Sequence, residues 1–441
     1  MKPAIFVSLS ILALVSVSTA QDFPPLDGDQ RAAIVDKIAE ALQEVYVFPD
    51  VAQQMDDHVH GQLRGGAYDA IDSLPAFTDR LTEDLQSISH DLHLRVRPIP
   101  PRDISEEQTL DEDEVRRRRL AQARAANFGF EKLEILAGNV GYLDLRGFLP
   151  AEYGGATAIA AMNFLANADA LIVDLRQNGG GSPSMIQLIS SYFFAEPVHL
   201  NSFYIRREDK MDQFWTQAWV AGPKLTEVPI WVLTSGRTFS AAEEFTYNLK
   251  NLERATIVGE TTGGGAHPVD NHTFPELGVQ MSLPFGRAVN PITETNWEGT
   301  GIEPHVAVPA DQALTVAHRD ALAKLRDAAE DPERQAFLSW ALESLELELE
   351  PVSLDPAALP AYVGDYGPRR VRLADGALTY QRGDGPLYRL VPMGGERFAL
   401  QDNDRFRIRF ERDGAGRVVT LVGLYDDGSE EPSSRSGGAE E

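Results

Sequence analysis

The stretch Pro229–Lys250, PIWVLTSGRTFSAAEEFTYNLK, leaves the chain few ways to fold. Ile230 to Leu233 is a short apolar run with the character of a buried strand, TSGRT has turn composition, and Ser240 opens an amphipathic helical pattern. Ser240 therefore stands where a turn becomes a helix. The first N–H groups of a helix lack intrahelical partners and the helix dipole adds partial positive charge, so an anion forming on a bound carbonyl is stabilised there. That suits a nucleophile in acyl transfer. The same residues also fit a plain capping box, with Glu243 three positions after Ser240.

A chain of 441 residues with 43% hydrophobic residues can build two or three cores. Its net charge of -27 argues against nucleic acid or an anionic membrane surface as the main partner, because both attract basic surfaces. The absence of cysteine removes disulfides, thiolate metal sites and a cysteine nucleophile. Residues 1–20 combine Lys2, an apolar run from Ala4 to Val17, and the small residues Ser18, Thr19 and Ala20. This is the layout of a secretory signal peptide cleaved near Ala20, which implies a periplasmic or secreted protein. No later segment has the length and apolarity of a membrane span.

Residues 21–100 form a helical N-terminal domain in this reading, with Ile34, Ile38, Leu42 and Val45, then Val51, Met55 and Val59, at helical spacing. Asp29 and Asp50 are candidate helix caps. Leu92, Leu94 and Val96 then alternate as in a strand. Residues 101–126 are a charged connector too short for an inserted domain. Across 127–310 strands and helices alternate, which predicts an α/β core with a largely parallel sheet. Residues 311–350 are helical in pattern. Short alternating segments with Asp-Gly and Gly-Gly turns over 355–428 predict a small antiparallel sheet or barrel. The polar stretch 429–441 has the composition of a disordered tail.

Three stretches carry residue types that could complete a site around Ser240. In LIVDLRQNGGGSP a buried strand enters three glycines and then a helix opening at Ser182 and Pro183. Such glycines let backbone N–H groups approach a substrate oxygen, although a plain strand-to-helix turn has the same composition. In Ser89-His90-Asp91-Leu92-His93, a strand would place His90 and His93 on opposite faces, so one histidine at most serves as a base. A surface histidine or an isolated metal-binding spacing is the plainer alternative. In NWEGTGIEPH, Glu298 could orient the base or the substrate.

These motifs together resemble the tail-specific (C-terminal processing) protease family. The resemblance rests on VDLRQNGGG, TSGRTFSAAEEF, VGETTGGG and WEGTGIEPH in that order, with NFGFEKLEILAGNVGYLDLRGF opening the region, and covers about Asn127 to Val308. The helical segment ending in ISHDLHLRV is similar to the N-terminal part of the branch that includes interphotoreceptor retinoid-binding protein. The resemblance implies a crotonase/Clp-like ββα core within the α/β class, followed by the small C-terminal antiparallel β domain. Ser240 matches the nucleophilic serine, and the amides of Ala241 and Gly180 match the oxyanion donors, with Gly179 or Gly181 as alternatives. Gly265 stands where the Ser-Lys branch carries lysine. The resemblance therefore points to the tricorn-like branch, with His93 as base, His90 as fallback and Glu298 as the acidic member.

The resulting expectation is a serine-type peptidase that needs no metal and no cofactor. Its partner would be a peptide or protein substrate, and a homo-oligomer is compatible with the sequence. A non-catalytic carrier of hydrophobic ligands and an esterase on the same fold are the alternatives.

Overall fold

The computed structural model describes residues 23–100 and 112–436. The expected signal peptide, the start of the connector and residues 437–441 lie outside them. Helices α1 (Gly28–Val45), α2 (Pro49–Arg64) and α3 (Leu74–Ser89) come first, then strand β1 (Arg95–Pro98) and helix α4 (Glu112–Ala125). Next are β2 (Phe130–Leu136), β3 (Val140–Leu145), α5 (Ala151–Phe164), β4 (Ala170–Asp174), α6 (Pro183–Ser190), β5 (His199–Ile205), β6 (Lys210–Trp215) and β7 (Ile230–Thr234). The chain continues through α7 (Ala241–Asn251), β8 (Ala255–Gly259), β9 (Val269–Phe274), β10 (Val279–Pro284), β11 (Gly286–Val289), β12 (Val306–Ala307), α8 (Ala313–Ala328) and α9 (Pro332–Leu349). Eight more strands run from β13 (Gly364–Tyr366) to β20 (Glu430–Ser434). Among the described residues no helix is long and apolar enough to cross a membrane.

The elements divide into two compact units. The first takes the chain up to Arg119 together with residues 203–212 and 267–288. Helices α1, α2 and α3 exist because their apolar positions recur every three or four residues and meet in one cluster, with Ile34, Ile38, Leu42, Met55, Val59, Phe77 and Leu81 all nearly sealed from solvent. The α1 cap is Asp27, which accepts from Gln30 N–H (2.8 Å) while Gln30 Oε1 accepts from Asp27 N–H (2.9 Å). Asp29 and Asp50, expected as caps, instead lie in the first turns of α1 and α2, where negative charge meets the positive dipole end. An antiparallel sheet of order β1-β10-β9 completes this unit. Val279, Met281 and Leu283 point one face of β10 into the helical cluster. Residues 267–288 lie within the stretch 127–310 expected to be a single core, yet their burial belongs with the helices.

The second unit contains a six-stranded sheet of order β12-β8-β7-β4-β3-β2, parallel except for the β2–β3 pair. Alternate residues of β4 and β7 serve two cores. Leu171, Val173, Ile230 and Val232 face the cluster with α5, α6 and α7, while Ile172, Trp231 and Leu233 face the cluster with α8 and α9. Covering both faces explains why these strands read as unbroken apolar runs. The expected helical stretch 311–350 is two helices, broken where Asp331 caps α9 by accepting the Glu333 N–H, with Pro332 at the first helical position. The last eight strands pair in sequential order, and a bridge between Tyr366 and Arg435 joins the two ends of that sheet into a barrel. Residues 430–434, inside the stretch expected to be disordered, form β20, because pairing with β19 (Val418–Tyr425), at residues such as Val422 and Leu424, satisfies their backbone groups.

Candidate active site

The turn that carries Ser240 is built within the second unit from the ends of two neighbouring parallel strands. After β7, Ser235 and Thr238 brace the TSGRT turn through Ser235 N–H to Thr238 Oγ1 (3.0 Å) and Thr238 N–H to Ser235 O (3.0 Å). Their hydroxyls reach the loop after β4, Ser235 donating to Arg176 O (2.7 Å) and Thr238 to Leu175 O (2.8 Å). Phe239 N–H donates to Asn178 O (3.1 Å). Held this way, Ser240 adopts φ 57° and ψ -122°. A side chain other than glycine is strained there by about 1–3 kcal/mol, and such strain persists only where the surroundings over-determine it. The half-buried Ser240 is thrust out at the strand-to-helix junction, as in the nucleophile elbows of other hydrolases.

Gly180 lies directly against this turn. A Cβ at Gly180 would stand 2.8 Å from Ser240 Cβ and 3.1 Å from Ala241 N, and its φ of +114° also demands glycine. Ala241 is the first residue of α7, so its N–H has no acceptor within the helix. The Gly180 N–H donates to Asn178 Oδ1 (2.9 Å), and Asn178 is itself buried and anchored by Nδ2 to Leu145 O (2.8 Å). Serving an oxyanion from Gly180 thus means exchanging that acceptor for the substrate oxygen.

Glu243 does far more than cap a helix. Its buried carboxylate accepts Ser240 N–H (2.8 Å), Thr262 Oγ1–H (2.5 Å), Gly264 N–H (2.7 Å) and Gly265 N–H (2.8 Å). Burial pushes its pKa up, against the pull of these donors. The VGETTGGG segment is pinned again by its neighbour, with Trp297 Nε1–H donating to Gly265 O (2.8 Å) and Gly299 N–H to Gly264 O (2.9 Å). Glu298 Oε2 accepts the Ala266 N–H. Ser240, Ala241, Gly180 and Glu298 therefore belong to one unit and one hydrogen-bonded assembly.

The histidines belong to the first unit. Between α3 and β1 the chain turns instead of extending, so the expected strand with His90 and His93 on opposite faces is absent. His90 is the left-handed end residue of α3 (φ 54°), its N–H bound to Gln86 O (2.8 Å), which makes it a helix terminator. Asp91 Oδ1 accepts His93 N–H (3.0 Å), closing an Asx turn that sets the His93 backbone. Burial is the main cause holding the His93 pKa down to about 4. The other oxygen of Asp91 pairs with His267 Nδ1 at 2.7 Å, both side chains being almost fully buried. Sequence motifs alone do not single out His267 or the wider part played by Glu243. The available signal was modest: His267 follows the last glycine of VGETTGGG by two residues.

Residues 139–308 match the model of Peptidase family S41, and residues 17–125 match the N-terminal domain of Peptidase_S41 in eukaryotic IRBP. Similar solved structures include a lipoprotein from Streptococcus agalactiae, 15% identical, covering 68% of this chain and 98% of its own, with a TM-score of 0.46. The photosystem II D1 C-terminal processing protease is 14% identical over 65% of this chain and 94% of its own (TM-score 0.39). The tricorn protease is 13% identical over 72% of this chain and 37% of its own (TM-score 0.40). The chain thus carries a peptidase family S41 domain with an IRBP-type N-terminal domain ahead of it, and is a serine-type peptidase.

Proposed function

We propose that this peptidase works in the periplasm or outside the cell and cleaves peptide bonds through Ser240, with His93 as general base and Glu298 as the acidic member. The observation that carries the reading is the strained Ser240 backbone with Gly180 packed against it. In the proposed cycle His93 takes the hydroxyl proton as Ser240 Oγ attacks the substrate carbonyl carbon. The Ala241 and Gly180 amides hold the oxyanion. His93 returns the proton to the leaving amine, and water then hydrolyses the acyl-enzyme with His93 again as base. A histidine kept neutral by burial is in the correct state for the first proton transfer at ordinary pH.

The test is labelling of the mature protein with a fluorophosphonate probe. Wild type should label, Ser240→Ala should not, and His93→Ala should label on the order of 100-fold more slowly. A folded wild-type protein that stays unlabelled sinks the proposal and favours a carrier of hydrophobic ligands. Labelling accompanied by ester turnover, with no cleavage across a diverse peptide library, would favour an esterase.

A further inference from the structure

Asp91 occupies the centre of a buried polar cluster in the first unit. Oδ2 pairs with His267 Nδ1 at 2.7 Å and lies 3.4 Å from the Tyr46 hydroxyl, while Oδ1 accepts His93 N–H at 3.0 Å. Asp91 is 0% exposed, Tyr46 1% and His267 5%. A buried carboxylate demands an opposing charge or strong donors, and His267 meets that demand through Nδ1. The His267 ring is held by more than this pair, since Phe48 packs edge-on against it at 5.6 Å. His267 also follows Ala266 directly, the last residue of the glycine segment that Glu243 and Glu298 bind.

We propose that His267 is a positioning residue for His93, acting through Asp91: its Nδ1–H locks the carboxylate whose other oxygen sets the backbone of His93. This rests on the assignment of His93 as the base. Two consequences separate it from packing alone. Locking Asp91 fixes the turn from which the His93 ring projects. A positive charge on His267 also opposes a second proton on His93, adding to the effect of burial and of Arg95 and working against Asp91. His267 therefore helps keep the base neutral and ready to accept a proton.

The experiment follows the His93 imidazole by NMR titration in the full mature chain, alongside the pH dependence of fluorophosphonate labelling. Wild type is compared with His267→Asn, which keeps an N–H donor near the Nδ1 position without the charge, and His267→Leu, which removes both. In His267→Asn the His93 midpoint should rise by about one pH unit, and the acid limb of labelling should rise with it. His267→Leu, if folded, should in addition lower the plateau labelling rate about tenfold or more. A folded His267→Asn with an unmoved His93 midpoint overturns the proposal. Labelling lost in His267→Asn as completely as in Ser240→Ala, with His93 unmoved, would make His267 the base and overturn the positioning role. A His93 midpoint that moves while the labelling limb stays put supports the coupling and overturns His93 as the base.

Discussion

Each key side chain here owes its state to a few neighbours. For a base, kcat/KM reports the pKa of the free enzyme. His93 is held down to about 4, mainly by burial, so the neutral form that its proposed role as base requires persists to low pH. Activity should therefore stay level through mild acid and fall only as the pH drops through about 4. A measured acid limb between 6 and 7 would show that His93 is solvated in the working enzyme, or that another group is the base. Glu243 makes a second prediction. Four donors converge on its carboxylate, and removing the acceptor leaves them buried without partners. Glu243→Ala should cost on the order of 3 kcal/mol by denaturant unfolding and should abolish labelling of Ser240. Loss of stability with unchanged labelling would mean that the turn holds Ser240 without help from the glycine segment.

Among the elements, α1 and α2 are stitched by a histidine. His60 Nδ1 meets Asp56 Oδ1 (2.6 Å) in its own helix, and Nε2 meets Asp36 Oδ1 (3.0 Å) in α1. The bond to Asp36 is the main cause raising the His60 pKa above its usual value. A raised folded pKa stabilises where the ring is protonated: the gain is complete below the unfolded value near 6.5 and is lost as pH rises through the folded value. His60→Gln should therefore lower the urea midpoint more at pH 5.5 than at pH 9. Equal losses at both pH values would leave only packing as the role of His60. The elements themselves were largely legible in the sequence, because amphipathic periods of 3.6 and buried apolar runs depend on local residues alone. The turn at His90–His93 was not legible, since alternating Leu92, Leu94 and Val96 suit a strand until the Asp91 carboxylate captures the His93 amide.

Across the molecule, the C-terminal barrel depends on the final strand. Arg369 is fully buried and donates to Glu431 O, Glu431 Oε2 and Ser433 Oγ, all on β20. Truncation after Gly428 would strand that charge and open the edge of the preceding strand. The barrel of the truncated protein should become sensitive to limited proteolysis while Ser240 still labels, because the hydrogen bonds described for the turn at Ser240 reach the loop after β4 and Glu243. Protease resistance equal to that of wild type would show that closure contributes little.

The sequence by itself determined the strand–turn–helix around Ser240, the glycine turn with Gly180, the absence of a lysine at Gly265 and the helical, α/β and antiparallel β regions. All of these follow from residues close together in the chain, where propensity, period and turn chemistry act. Tertiary structure decided that 267–288 packs with the N-terminal helices, that Glu243 binds Thr262, Gly264 and Gly265, and that His267 pairs with Asp91. The physical reason is common to all three. A buried face or a buried charge chooses its partner by what remains unsatisfied after folding, and that partner can stand anywhere in the sequence.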